Sequence, residues 1–381
     1  ALHAQGDINN VGGTLEAETL AIVSEAGDFV HAVDGGKRAH LVAEKELLIE
    51  VDGDMRLQGS EINTGGVARI DVGRDLTIES TLKDSAVQGD YNWQEKNGVV
   101  SSNAVSQQRD QAQLTIGGTA SIRSGRDLNL KAAELSVAGS AKVDVGRDVN
   151  IESLTNKTTV TVREKYTDFD APKDEGRLGV KSPGLDSKKR VRSDIETTTH
   201  LYSEQESQFS VNGDLVLSAG RDFTLDASSL EVEGAIDLSV DGDLTLHSKD
   251  SHLETTISTK DTYIRAGRRG SGAKARVAWN PTNSFAETAI EDSKEVVASN
   301  RAAFVAGGDL NIQVRGNVLS QRSDLVGGDA VITSKGSIHN TDRAKIQTKD
   351  LLLAASGSIE NSGGSSIVGE DLSLLAGDSI S

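Results

Sequence analysis

Short stretches of alternating apolar and polar residues recur along most of the chain, and each follows a glycine–aspartate phrase. Examples are GRDLTI beginning at Gly73, GRDLNL at Gly125 and GRDFTL at Gly220. Alternation over three to five residues predicts a short β-strand with one buried face. The glycine is expected to supply a positive φ angle, and the aspartate is expected to cap backbone amides of the turn.

The phrases recur with a period close to 21 residues. Asp54 and Asp75 are 21 residues apart, as are Asp127 and Asp148. Two interleaved series keep this period near the C-terminal end: Asp309, Asp329, Asp350 and Asp371, and Gly316, Gly336, Gly357 and Gly377. Two or three short strands with their turns fill about 20 residues, which is one coil of a parallel β-helix.

We therefore predict an all-β fold, a right-handed parallel β-helix with roughly 20–21 residues per coil. Each coil is stabilised by stacking on its neighbours, because no single coil has a core of its own. The residues predicted to stack inside are Leu76, Ile78, Leu128, Leu130, Val149, Ile151, Leu244, Leu246, Leu310 and Ile312.

The coil pattern is interrupted three times. One trunk is predicted, with coils at about 1–80, 112–153, 208–248 and 301–381, and the inserts are 81–111, 154–207 and 249–300. The two longer inserts have the pattern strand, polar tip, strand, which predicts β-hairpins that project from the trunk. For 286–303 a helix is an alternative, because alanine and glutamate are frequent there.

Composition narrows the class of protein. The chain has 381 residues, a formal net charge of −18, no Cys and 3% aromatic residues. This acidic balance argues against a nucleic-acid binder, which needs a basic face. The lack of Cys excludes disulfide scaffolds and thiolate chemistry. No apolar run approaches the length of about 18 residues that a membrane helix needs, and no signal peptide is expected at the beginning.

Charge is divided unevenly between trunk and inserts. The inserts contain 21 basic and 21 acidic residues, so the trunk carries the whole net charge. Two insert tips are locally basic, and one interpretation is contact with sulfated glycans, lipopolysaccharide phosphates or anionic lipid, since Arg suits phosphate and sulfate groups. The other is a solvated tip that aids solubility. The candidate contact residues are Lys188, Lys189, Arg190, Arg192, Arg265, Arg268, Arg269, Lys274, Arg276 and Trp279.

Longer stretches of the trunk resemble a known family. VGRDLTIES, SGRDLNLKAAELSVAGSAKVDVGRDVNIES and SAGRDFTLDASSLEVEGAIDLSVDGDLTLHS are similar to the haemagglutinin repeats of filamentous haemagglutinin-like exoproteins. The polar strands after GRDVNIES resemble the second haemagglutinin repeat region of contact-dependent inhibition proteins. The secretion domain's Asn-Pro-Asn-Gly motif is not found, so the chain is expected to be an internal piece of a longer exoprotein.

The resemblance implies a secreted, cell-surface filament of a Gram-negative bacterium. It implies export through an outer-membrane transporter of the two-partner secretion type, followed by adhesion or by toxin delivery to neighbouring cells. The target would be a cell surface, a glycan or an outer membrane. No nucleic-acid partner is expected, and the filament is expected to be monomeric.

Catalysis has little support in the sequence. The repeated aspartates follow turn glycines throughout, which favours a capping ladder over the two distinct carboxylates, about 5–10 Å apart, of a glycosidase. The seven His residues lack metal-ligand spacing and are expected to be ordinary surface residues. We predict a non-catalytic segment with no cofactor, catalytic or metal-binding residues. The alternative is a polysaccharide-cleaving or tailspike-like β-helix enzyme.

Overall fold

The computed structural model is built from β-strands that wind into a long solenoid. It describes residues 1–93, 98–170, 189–269 and 276–381, and it describes side chains outside 90–97, 167–191 and 262–287. Every helix or strand that it assigns in these ranges is a strand. The helix considered over 286–303 is wrong, because a strand runs up to Asn300 and the next begins at Ala303.

The strands are numbered in chain order. They are β1 (Leu2–Ala4), β2 (Ile8–Val11), β3 (Thr14–Ser24), β4 (Phe29–Ala32), β5 (His40–Val51), β6 (Met55–Gln58), β7 (Glu61–Thr64), β8 (Val67–Val72), β9 (Leu76–Glu79), β10 (Thr81–Trp93), β11 (Gly98–Asp110), β12 (Gln113–Ile116), β13 (Ala120–Ser124), β14 (Leu128–Lys131), β15 (Glu134–Val137), β16 (Ala141–Val145), β17 (Val149–Glu152), β18 (Leu154–Asp170), β19 (Lys189–Gln205), β20 (Gln208–Val211), β21 (Leu215–Ala219), β22 (Phe223–Asp226), β23 (Ser229–Val232), β24 (Ile236–Val240), β25 (Leu244–His247), β26 (Lys249–Arg269), β27 (Arg276–Asn300), β28 (Ala303–Ala306), β29 (Leu310–Val314), β30 (Val318–Gln321), β31 (Asp324–Val326), β32 (Ala330–Ser334), β33 (Ile338–Thr341), β34 (Lys345–Gln347), β35 (Asp350–Ala355), β36 (Ile359–Asn361), β37 (Ser366–Val368) and β38 (Asp371–Ala376).

A regular coil contains three strands, for example β12, β13 and β14. The first two strands of each coil belong to a sheet of 21 strands, and the third belongs to a sheet of 11 strands. Pairing between coils is parallel, and its register is kept apart from one shift between β3 and β5. Leu128, for example, lies between Leu76 of one coil and Val149 of the next. This arrangement confirms the right-handed parallel β-helix.

The interior of the trunk is a set of stacked apolar ladders. All ten residues predicted to lie inside are at most 1% exposed. Phenylalanine joins the aliphatic residues at four buried positions, and the rings of Phe223 and Phe304 meet edge to face with centroids 6.2 Å apart. Each coil therefore gains its stability from the coils on both sides of it.

The repeat glycines do not have the positive φ angles that we expected. Among described glycines, positive φ occurs at Gly12, Gly35, Gly36, Gly59, Gly363 and Gly364, and none of these precedes an aspartate. The repeat glycines instead stand where successive coils approach most closely. A Cβ added to Gly146 would lie 2.9 Å from the carbonyl carbon of Gly125, and one added to Gly220 would lie 2.8 Å from that of Gly146. Glycine is required there for space between backbones.

The three inserts form one sheet. Their six strands, β10, β11, β18, β19, β26 and β27, pair antiparallel in chain order. We call this sheet the fin. Its strands pair with one another and with no described strand of the trunk. The hairpins lengthen along it, from 13 residues in β10 and β11 to 25 in β27.

Every hairpin of the fin leaves the trunk at the same two-residue corner, between the third strand of one coil and the first strand of the next. Coils without a hairpin close this corner with a positive φ angle, as at Ala132 and Ala227. In the other coils the hairpin is inserted between the two corner residues, which are Ser80 and Ala112, Ser153 and Ser207, and Ser248 and Ala302.

Between the corners at Gly59 and Arg322, hairpins and uninterrupted corners alternate, so successive hairpins emerge two coils apart. Strands are about 4.8 Å apart both in the trunk and within a hairpin, so two coils rise by about the width of two hairpin strands. The alternation therefore places each hairpin beside the last and allows them to join into one sheet.

Candidate functional site

The base of the fin is fixed to the trunk by two arginines. Arg301 donates to both carboxylate oxygens of Asp324, at 2.8 Å each. Arg322 donates to both oxygens of Asp250, at 2.9 and 3.0 Å, next to the start of β26. The hydroxyl of Ser299 and then Arg322 hold the pKa of Asp250 below its usual range. The fin is thus held at its base by charge-assisted hydrogen bonds.

The two faces of the fin differ in chemistry. In the rows shared by β11, β18, β19 and β26, one face contains six charged residues in sixteen positions. We call it the charged face, centred on Arg163, Lys165, Asp194, Glu196, Glu254 and Lys260. The opposite face contains one charged residue, Glu164, in twelve positions. We call it the threonine–aliphatic face, centred on Val160, Val162, Thr197, Thr199, Thr255 and Ile257.

The charged face is internally compensated. Arg163 Nε donates to Asp194 Oδ1 at 2.9 Å, and this hydrogen bond is the main reason why the pKa of Asp194 lies below its usual range. On the same face, closer to the base of the fin, the rings of Tyr202 and His252 stack at 4.6 Å, with Lys157 Nζ 5.3 Å from the centre of the tyrosine ring. This face therefore has the partners expected of a solvated surface.

The structure brings the two basic tips into neighbouring strands. Lys189 lies opposite Arg265 in the β19–β26 register, and Arg269 lies opposite Arg276 in β26–β27. We call this part of the fin, residues 189–192, 262–269 and 276–279, its distal end. Arg192 is exposed. Lys188 and Lys274 lie outside the described residues, and for Lys189, Arg190, Arg265, Arg268, Arg269, Arg276 and Trp279 only the backbone is described.

The juxtaposition of the tips was missed by sequence reasoning, which treated each insert as a separate hairpin. The sequence did contain a signal. The coil segments between successive inserts are 112–153, with 42 residues, and 208–248, with 41 residues. Each is two coils, which predicts hairpins side by side.

The repeated aspartates form a hydrogen-bond ladder that links coils. The Asp127 amide donates to Asp75 Oδ1 at 3.2 Å, and the Asp148 amide donates to Asp127 Oδ1 at 3.2 Å. The predicted capping within the same turn is thus replaced by capping of the next coil. Arginines compensate the ladder, since Arg221 forms an ion pair with Asp148 and lowers the pKa of that carboxyl. Carboxylates used in this way serve as structural caps.

A second aspartate column stands at a different corner. In line with Asp214, Asp309 and Asp329 directly precede the second strand of their coils, and Asp350 and Asp371 begin it. They line an open groove of about 670 Å³ along that face. In the described ranges, no group of three or more His, Asp or Glu is placed to hold a metal ion.

One histidine departs from the expected surface location. His31 is fully buried in the trunk. Its Nε2 donates to the Glu61 carbonyl at 3.0 Å, and the Asn10 amide donates to Nδ1 at 3.0 Å. Burial lowers the pKa of His31 to about 4 from the ordinary 6.5. The ring is therefore neutral in the folded state and fills a polar position in the core.

Acidification is expected to loosen the first coils through His31. Because the folded pKa is depressed, stability from neutral burial is present above pH 6.5 and falls as the pH decreases toward about 4. The loss is about 1.4 kcal/mol per pH unit, or about 3 kcal/mol in all. Protection factors of the amides in β2, β4 and β6, which correct for the intrinsic pH dependence of hydrogen exchange, should therefore fall between pH 7 and pH 4.5. His31→Gln should remove most of this pH dependence, whereas the exposed control His3→Gln should retain it. Equal pH dependence in both variants would contradict the assignment.

Comparison with known proteins gives two family matches. A model described as "Hemagglutinin repeat" matches residues 36–95, 82–166 and 189–348. A second, described as "Haemagglutinin repeat", matches residues 1–59. No curated protein and no solved structure matches the chain. Among described residues, no helix is long and apolar enough to cross a membrane.

Proposed function

The chain belongs to the haemagglutinin-repeat family of two-partner-secretion-type exoproteins, and on that premise we propose that its trunk carries the fin to the surface of a target cell. The family and the β-helix together support an adhesin-like filament segment. The observation that carries the proposal is the single fin built by three hairpins. A spacer alone needs no such projection, whereas a contact device does.

The trunk suits the role of a rigid spacer. Its backbone ladder is continuous from β1 to β38, so bending it requires many inter-coil hydrogen bonds to open together. We propose that the parent filament is exported through an outer-membrane transporter and displayed on a Gram-negative cell. Its function there is adhesion, or toxin delivery of the contact-dependent growth inhibition type. We also propose that this segment is non-catalytic, since the carboxylates of the first aspartate column serve as inter-coil caps.

The distal end of the fin is the proposed point of contact. The trunk carries a net charge of −18, whereas 262–286 contains five basic residues and no acidic one. The 25 residues of β27 span about 80 Å. The Debye length in physiological salt is about 8 Å, so most of the distal end is screened from the trunk. We propose that it binds phosphate or sulfate groups of a target glycan or outer membrane.

Removal of the fin tests this proposal. Joining Ser80 to Ala112, Ser153 to Ser207 and Ser248 to Ala302 recreates three uninterrupted corners. The first residue of each corner, Ser80, Ser153 or Ser248, is changed to Gly so that it accepts positive φ. We expect the resulting trunk to fold, as judged by circular dichroism, and to lose binding to Gram-negative cells. Binding at the level of the full chain would contradict the proposal. Release of reducing ends from acidic polysaccharides would contradict its non-catalytic part.

Charge reversal at the distal end is expected to weaken cell binding by about tenfold or more, in a salt-dependent way. The variant is Arg265→Glu, Arg268→Glu and Arg269→Glu, measured with cells and with lipopolysaccharide vesicles. The matched control reverses three exposed basic residues on trunk strands, as Arg69→Glu, Arg123→Glu and Lys142→Glu. The two variants have the same net charge, so equal losses of binding would show that overall charge matters and the distal end does not.

A further inference from the structure

The pattern on the fin is that of a sheet with one covered face. Antiparallel sheets that pack on a core alternate apolar residues inward and polar residues outward along each strand. β18 follows this rule from Thr159 to Arg163, with Val160 and Val162 on one face and Thr161 and Arg163 on the other. The fin has no core of its own and pairs with no described trunk strand. Its threonine–aliphatic face therefore lacks a partner within the chain's described residues.

We propose that the threonine–aliphatic face pairs with the same face of a second copy of this chain, about a twofold axis. The filament would then be a dimer through its fins, in place of the monomer expected from the sequence. This inference is independent of whether the distal end binds target cells.

The dimensions of the face suit such a pair. Six strands about 4.8 Å apart and the eight residues from Val99 to Ser106 give a face of about 29 Å by about 26 Å. Its area is roughly 750 Å², close to the roughly 800 Å² that each partner buries in a stable protein interface. Two such sheets would pack about 10 Å apart as a β-sandwich.

The charges of the face allow a second copy as the occupant. The centre contains Val162 and Thr197, and Glu164 is the one charged residue on this face in the rows shared by β11, β18, β19 and β26. Glu291 and Glu295 also lie on this face, but they stand in the outer strand β27, at the rim of the sheet. Twofold packing therefore buries little charge at its centre, where an unpaired charge would be costly. The charged face could not pair in this way, because its Arg163 and Asp194 already satisfy one another.

Sedimentation velocity over a range of concentrations tests the pairing. The wild-type chain is expected to reach the mass of a dimer, and Val160→Lys and Thr199→Lys are each expected to weaken dimerisation by at least about tenfold. The pleat supplies matched controls, because Thr161→Lys and Thr198→Lys place the same charge on the opposite face. These controls should dimerise like wild type. A monomeric wild type, or equal weakening by the controls, would overturn the inference.

Crosslinking offers a test that does not rely on disruptive charges. The chain has no Cys, so a single introduced thiol reports one position. Under oxidising conditions Thr197→Cys, near the centre of the face, is expected to form a covalent dimer, and Thr198→Cys is not. Crosslinking of Thr198→Cys alone would overturn the proposed face. A monomeric wild type whose binding to lipid vesicles is lost in Val160→Lys would assign the face to a membrane and would likewise overturn the pairing.

Discussion

Replacing Gly146 with alanine is expected to lower the free energy of unfolding by about 2 kcal/mol, within the range for overpacked sites. The new Cβ would lie 2.9 Å from the carbonyl carbon of Gly125, and backbone atoms cannot rotate away as a side chain can. Gly220 follows with the same close approach on the other side. Relief would need the coils to separate, which weakens the ladders on both faces of the coil. Chemical denaturation and hydrogen exchange of β16 and β17 would measure the effect.

Gly6→Ala is the matched control. No atom lies within 4 Å of a Cβ built at Gly6, and its φ angle is not positive. The same substitution should therefore be neutral or slightly stabilising, because alanine restricts the unfolded chain. A loss at Gly6 equal to that at Gly146 would mean that backbone freedom, and not space between coils, explains the repeat glycines.

Asp148→Ala is expected to cost about 2 kcal/mol, because it leaves the Asp222 amide without its acceptor. The side chain of Asp148 is 14% exposed, so water replaces the lost contact only in part. Arg221 lowers the pKa of Asp148 from its ordinary value of 3.8. The advantage of wild type over Asp148→Ala is therefore present above that value and disappears as the pH falls through the lower, folded pKa. Urea denaturation at pH 7 and at acidic pH measures both parts.

Asp144→Ala supplies the comparison within the same coil. Asp144 is exposed and accepts a hydrogen bond from Ser218 Oγ at 2.8 Å, but it caps no backbone amide of the ladder. Its loss should change stability by about 0.5 kcal/mol or less. If both substitutions cost the same, the inter-coil cap at Asp148 contributes nothing specific.

The trunk could be predicted from sequence because every coil of a solenoid repeats the same arrangement of strands and turns. The alternation around Leu128 and Leu130, together with a 21-residue period, determines strand, face and stacking partner at once. The role of Gly146 could not be obtained in this way. A glycine that gives a turn its φ angle and one that makes room for a neighbouring backbone look alike in sequence, because the cause in the second case lies one coil away.

The repeat period and the composition were not sufficient to predict that the three hairpins join into one sheet. Each hairpin could be predicted from two stretches of alternating apolar and polar residues on either side of a polar tip. The pairing between Lys189 and Arg265 depends instead on where their hairpins leave the trunk. The exit points depend on the number of coils between the hairpins, and Lys189 and Arg265 are 76 residues apart in the chain. Local sequence patterns do not contain this information. The two faces of the fin became visible once the register between strands was known, since a shift of one residue exchanges them.

The two-residue corner makes the fin extensible in fixed increments. A new hairpin could join the sheet only if it emerged two coils beyond Ser248, which is the corner before Ala344, and one placed between Arg322 and Ser323 would be out of step by a single strand. The number of coils between two hairpins therefore decides whether an inserted hairpin can join the fin. A spacing of two coils extends the fin, and a spacing of three or more leaves an isolated hairpin with two unpaired edges. The coil spacing of the trunk thus determines where further hairpins can extend the fin.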